Sequence, residues 1–296
     1  MLNTETPSTR HENLDRYATI DLVRAFTEDH VHAANVVHAA AADLARAVDA
    51  AAPRIAAGGR LLYVGAGTSG RLGLLDSVEL FPTFSWPKDR ALGLLAGGRS
   101  AVYEAVEGAE DNREQGAADL RAVNPTRNDV VILIAASGGT PYVLGALEAA
   151  KAAGALTIGM ANNPGAPVTA QAEIGLTLDT GSEVVSGSTR LKAGTSQKIV
   201  LNTLSSAIMV RLHKVYGNLM VDVQPTNAKL VRRAAALTMR ATGADEATAR
   251  RTLEACDYRV KVAIVAIKRG LDAAAARAAL EKVDGDVRAA IAGERA

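Results

Sequence analysis

The chain has 296 residues, with Lys+Arg 33 against Asp+Glu 32 and a formal charge of +1, room for one large α/β domain and a small accessory unit. This balance excludes a general attraction to nucleic acid or to an anionic membrane surface, so any bound anion must be held locally. The single Cys256 cannot close an internal disulfide, no N-terminal apolar stretch resembles a secretion signal, and no stretch reaches membrane-spanning length; the expected location is a reducing cytoplasm.

Residues 1–18 are polar and loop-like, a segment to wrap the domain or reach a partner. Thr19 can cap a helix carrying Ile20, Val23 and Phe26, and Thr27 with Glu28 and Asp29 can start a second, Ala-rich helix to about residue 56, ended by Gly58-Gly59. Strand and helix signals then alternate: strand 61–64, helix 70–78, strand 91–95, helix 100–108, strand 130–135, helix 141–153, strand 155–160 and strand 174–178. This order predicts a three-layer α-β-α fold around a parallel sheet. The continuous apolar runs at 92–95 and 130–134 suit central strands, whereas Ile174, Leu176 and Leu178 alternate with smaller or polar residues and suit an edge. A long apolar helix follows over about 190–214, and the tail from about 242 fits three short helices at 244–256, 258–269 and 272–292, with Asp272 as a cap and Gly285 as a break. The expected division is an N-terminal arm with helices (1–56), a central α/β domain (57–236) and a small helical domain (242–296).

The first strand runs into Gly65-Ala66-Gly67-Thr68-Ser69-Gly70. Such a loop cradles anions: glycines let backbone N–H groups approach a ligand, and the following helix directs its positive end at the same point. The spacing also satisfies the dinucleotide-binding pattern, but that fold needs an acidic residue at the end of the second strand, and Asp89 precedes that strand. A second loop, Ala135-Ala136-Ser137-Gly138-Gly139-Thr140, leads into Pro141, suited to a first helical position. By itself it is an ordinary strand-to-helix turn; two such loops at strand carboxyl ends could converge on one phosphate through hydroxyls at 68, 69, 137 and 140. Glu183, Ser186, Ser188, Thr189, Arg190 and Lys192 crowd the start of the long apolar helix, either as caps or as further ligands.

Glu79 follows the first loop's helix, beside Leu80, Phe81 and Pro82. A helix C-terminus and apolar neighbours would both raise its pKa, making it a proton donor near neutrality; an exposed surface glutamate is the plainer alternative. Of Glu104, Glu107, Glu110, Asp111 and Glu114 most should form a solvated face, and spacing does not choose the one that turns inward. Two carboxylates near a sugar phosphate would permit acid–base chemistry without a cofactor. The five histidines have no metal-ligand spacing, Cys256 suits a helical core, and the aromatics are too few to stack nucleic-acid bases.

Residues 65–73, 105–111, 187–195 and 216–222, the last reading Tyr216-Gly217-Asn218-Leu219-Met220-Val221-Asp222, resemble the N-acetylmuramic acid 6-phosphate etherase family. The likeness begins near Asn13, runs through a sugar isomerase (SIS) type domain and ends in a tail similar to ubiquitin-associated domains. It implies removal of D-lactate from the C3 ether of N-acetylmuramic acid 6-phosphate in cell-wall sugar recycling, without metal or cofactor. By the same resemblance Glu79 matches the family's proton donor and Glu110 its second catalytic glutamate, the two roles being exchangeable. Gly67, Thr68, Ser69, Gly70, Ser137, Gly138, Thr140, Ser188, Thr189 and Lys192 are the expected substrate ligands, and a homodimer with sites completed across its interface is implied. The chain departs from the family at Val78, Leu80, Phe81, Gly139, Ala161 and Asn162, which stand for Ser, Cys, Pro, Arg, Ser and Cys. Loss of the arginine at 139 leaves a different 6-phosphosugar open. A SIS-type isomerase and a non-catalytic sugar-phosphate sensor are the rival readings.

Overall fold

The computed structural model describes residues 2–223, 225 and 227–293. The chain divides into two compact units, Met1–Val78 with Lys88–Ile208, and Glu79–Pro87 with Met209–Ala296.

The first unit begins with two helices, α1 (Thr19–Ala39) and α2 (Ala41–Ala56). Thr27 therefore lies inside α1 rather than starting the second helix, and the break falls at Ala40. There follow β1 (Leu61–Gly65), α3 (Gly67–Phe84), β2 (Ala91–Leu95), α4 (Arg113–Ala122), β3 (Val130–Ile134), α5 (Pro141–Ala152), β4 (Leu156–Ala161), α6 (Pro167–Gln171), β5 (Ile174–Thr177) and α7 (Lys192–Arg211). All five strands are parallel, in the order β2-β1-β3-β4-β5.

Leu62, Val64, Val131 and Leu133 point to one face of the sheet and pack with Leu120 of α4 and with Tyr142, Val143 and Leu147 of α5. Leu61, Tyr63, Ile132 and Ile134 alternate onto the other face and are also fully buried. Tyr63 donates to Asp76 of α3 at 2.9 Å, and Asp76 accepts from Asn202 of α7 at 2.7 Å, which ties those helices to that face. Burial of this tyrosine, with the carboxylate beside it, pushes its pKa well up.

Two further expectations fail. The run 91–95 is an edge strand, β2, with Leu92 and Leu94 only half-buried. No α-helix covers 100–108; the segment holds a 3-10 turn at Ser100–Val102 and a positive-φ glycine at 108, after two more at 97 and 98, and the helix of this crossover is α4, capped by Asn112 accepting from Gln115 N–H.

The second unit holds a two-stranded hairpin, β6 (Val215–Tyr216) and β7 (Leu219–Met220), then α8 (Ala228–Thr242), α9 (Glu246–Ala255), α10 (Val260–Arg269), α11 (Ala273–Glu281) and α12 (Val287–Ala292). Asn227, Asp245, Asp272 and Asp286 each accept from the first turn of the helix they precede. Leu253, Cys256, Ile264, Leu280 and Val287 form its core. The segment 272–292 is broken around Gly285, as expected, into α11 and α12, and α8 lies outside the expected helices. Among the described residues no helix is long and apolar enough to cross a membrane.

Candidate functional site

The strand order places β1 beside β3 and sends the chain to opposite edges of the sheet after each, so a crevice opens outside their carboxyl ends. The two glycine loops meet there. A cleft of about 360 Å³ is lined by Gly67, Thr68 and Ser69 from the first loop and by Ser137, Gly139 and Thr140 from the second. Thr189, Glu110, Asp111 and Glu5 complete its polar lining.

Gly70 and Gly138 do not line the cleft but shape it. A Cβ on Gly70 would sit 2.6 Å from the Gly65 carbonyl oxygen and 2.4 Å from Leu95 Cδ1, so only glycine lets α3 start this close to β1. Gly138 is held at φ +72°, and a Cβ there would lie 2.3 Å from Ala166 Cβ. Its carbonyl accepts from Val168 N–H at 2.9 Å, which fixes the second loop against the start of α6. The Gly139 N–H donates to Ser137 Oγ at 3.2 Å. Pro141 occupies the first turn of α5 as expected, but Thr140 makes no side-chain cap.

Ser69 is buried and donates its hydroxyl to Gln197 Oε1 at 2.8 Å. Gln197 in turn donates to Asn162 Oδ1, and Asn162 donates to Ser196 Oγ. The departure from the family at Asn162 is thus absorbed into a buried, mutually satisfied network beneath the first loop.

The basic residue expected among the ligands lies elsewhere. Lys192 pairs with Asp29 of α1 at 3.0 Å, both side chains largely buried, and is absent from the cleft lining. The N-terminus of α7 is occupied by Glu183, fully buried, whose carboxylate accepts from Lys192 N–H at 3.0 Å and Ala193 N–H at 2.9 Å. Burial pushes the Glu183 carboxyl up, against those two bonds and the Lys192 charge. The anion at that helix end is therefore the protein's own. Ser188 does not line the cleft either.

Of the two glutamates, Glu110 lines the cleft from a 3-10 turn, Ala109–Asp111, reached through Gly108 at φ +71°. Glu79 is exposed and is not among the lining residues. It lies inside α3, which continues through Pro82 to Phe84, so the helix does not end where expected. Glu5 and Asp111 were not expected in the lining. No lysine, arginine or histidine is among the lining residues, and no group of three or more His, Cys, Asp or Glu among the described residues could hold a metal.

Fold and cleft together define an SIS-domain protein, with glycine and hydroxyl loops at the carboxyl ends of parallel strands. The SIS domain family matches residues 114–207, and the glucokinase regulatory protein N-terminal SIS domain matches residues 43–151. A phosphoheptose isomerase from Francisella tularensis aligns with a TM-score of 0.48 at 16% identity, covering 65% of this chain and 98% of that one. The N-acetylmuramic acid 6-phosphate etherase of Deinococcus radiodurans is 57% identical over 265 residues, spanning 90% of this chain and 87% of the relative. That of Symbiobacterium thermophilum is 51% identical over 255 residues, spanning 86% and 84%. The chain belongs to the N-acetylmuramic acid 6-phosphate etherase family.

Proposed function

We propose that this chain removes D-lactate from the C3 ether of N-acetylmuramic acid 6-phosphate by elimination and rehydration, giving N-acetylglucosamine 6-phosphate. The observation that carries this reading is the cleft itself, lined by neutral donors from two glycine loops and by Glu110. Thr68, Ser137, Thr140, Thr189 and backbone N–H groups hold the phosphate, which orients the far end of the sugar.

Ring opening exposes an aldehyde that acidifies the C2 proton. Glu110 removes that proton while Glu79 protonates the departing lactyl oxygen. The C2–H electron pair forms the C2=C3 double bond, and the C3–O pair leaves with lactate. Water then adds at C3, and a proton returns to C2. An ether oxygen leaves poorly unless protonated, so general acid–base help is worth roughly 10²–10⁴-fold.

Glu79 acts from a second copy of the chain. This homodimer reading is supported by exposed apolar residues on α1 (Ile20, Val23, Val31) and on α3 (Leu75, Val78), the latter beside Glu79 itself. A reducing compartment suits the single buried Cys256, and we assign the reaction to the cytoplasm. Incubation of the purified protein with N-acetylmuramic acid 6-phosphate, followed by assay of free D-lactate, tests the reading. Tight phosphosugar binding with no lactate would replace it with a sensor, and aldose–ketose interconversion with an isomerase.

A further inference from the structure

The N-terminal arm is fastened to the cleft by an arrangement that no feature of the preceding mechanism requires. Thr4 is fully buried, and its N–H donates to Asn163 Oδ1 at 3.2 Å. Asn163 Nδ2 donates back to Thr4 Oγ1 at 3.0 Å and also to the Ala136 carbonyl, within the second glycine loop, at 2.9 Å. Breaking this exchange would strand buried polar groups, so the position of the arm is specified rather than incidental. On either side, Asn3 donates to Asp179 and the Ser8 N–H to Ser186 Oγ.

The next residue along is Glu5. A short 3-10 turn, Asn3–Glu5, brings its carboxylate into the cleft lining beside the residues from both loops and Thr189. Glu5 Oε2 lies 3.2 Å from the point where a Cβ on Gly187 would stand, and Gly187 is held at φ +76°. The side chain is exposed, and among the described residues it has no hydrogen-bond or ion-pair partner. An ionised carboxylate can only accept hydrogen bonds. Beside a phosphate site with no lining cation, a third carboxylate costs affinity through repulsion unless it makes a compensating contact.

We infer that Glu5 is a sugar-contacting residue, whose carboxylate accepts hydrogen bonds from hydroxyl or amide N–H groups of the bound hexosamine, with the clamped arm as a fixed wall of the cleft. This rests on the reading of the cleft as a phosphosugar site. Glu5 thereby selects for a sugar carrying donors over a bare anion.

The test is calorimetric titration of the full chain and of Glu5→Gln, with N-acetylglucosamine 6-phosphate and separately with inorganic phosphate. The contact predicts that Glu5→Gln weakens the phosphosugar by about tenfold or more, while inorganic phosphate binds as before or more tightly because a negative charge has gone. Glu5→Asp should regain part of the loss. Thr4→Val, which removes one of the bonds that fasten the arm and keeps the carboxylate, should reproduce the selective loss. Unchanged or tighter phosphosugar binding in Glu5→Gln would overturn the inference, since only a field effect would then act. Equal weakening of both ligands would also overturn it, making the arm structural. Lactate release by the wild-type chain is scored apart, so failure of the etherase reading is distinguishable from failure at Glu5.

Discussion

Gly138→Ala joins local geometry to the proposed chemistry most sharply. The substituted residue would keep a left-handed backbone, costing roughly 1–2 kcal/mol for an L side chain. Its methyl group would lie 2.3 Å from Ala166 Cβ and 2.9 Å from Ala161 Cβ, well short of the 3.4 Å at which ordinary contact begins. Neither neighbour is a flexible side chain, so the backbone must give, an overpacking cost of roughly 1–3 kcal/mol. The total is about 2–5 kcal/mol, part of it relieved if the loop moves away from α6. That relief breaks the Val168 N–H to Gly138 O bond and shifts Ser137 and Thr140, two of the residues proposed to hold phosphate. Urea unfolding and calorimetric titration with N-acetylglucosamine 6-phosphate therefore both respond: stability drops by about 2 kcal/mol or more, and affinity falls by about tenfold or more. A variant within about 0.5 kcal/mol of wild type with unaltered affinity would refute the claim that this glycine sets the second loop.

Gly139→Arg goes the other way: a Cβ there meets no atom within 4 Å, so the arginine should be tolerated and should tighten phosphosugar binding several-fold, an effect that fades with added salt. Asp129, at the opposite end of β3 from the cleft, accepts from the Arg60 guanidinium and from the N–H groups of Thr126 and Arg60. Burial works against its charge, but these bonds win and hold its carboxyl below the ordinary value. Asp129→Asn should cost about 3 kcal/mol at pH 7 with an unchanged KM. Because the folded pKa is depressed, that contribution is present above the ordinary carboxylate value and lost as pH falls through the lower folded one. The gap from wild type in urea midpoints should therefore begin to narrow below about pH 4, and a gap that stays constant to pH 3 would contradict the sign. Glu79→Gln and Glu110→Gln should each abolish lactate release yet bind phosphosugar. Mixing the two inactive variants should restore about a quarter of wild-type activity, since random pairing makes half the dimers mixed and leaves one intact site in each; no recovery after verified subunit exchange would place both glutamates in one chain.

Whereas the strand order that makes the glycine loops neighbours is read from the structure, the loops themselves were legible because each follows a fully buried apolar strand, β1 or β3. The position of β2 was not, because an apolar run reads alike at a sheet centre and at an edge covered by α3, where Gly93 admits Leu74 within 2.9 Å of its would-be Cβ. The acids of 104–114 suggest a solvated helical face, whereas the helix of this crossover starts only after Asn112, which caps it. The helix expected over 70–78 runs on through Pro82, which sits within the last turn of α3. Lys192 looked like a phosphate ligand from its neighbours alone; its partner, Asp29, lies in α1 and no local pattern connects them. Glu5 was unreadable for the same reason, since its place depends on Asn163 holding Thr4 across most of the first unit.

Reaction in ¹⁸O-labelled water tests the central claim most directly, with free lactate and the sugar product analysed by mass spectrometry. Elimination followed by rehydration predicts one lactate for each sugar turned over, unlabelled in its C2 oxygen, and label on the C3 hydroxyl of N-acetylglucosamine 6-phosphate. Label in the lactate hydroxyl with none at sugar C3, or no lactate at all, would contradict it.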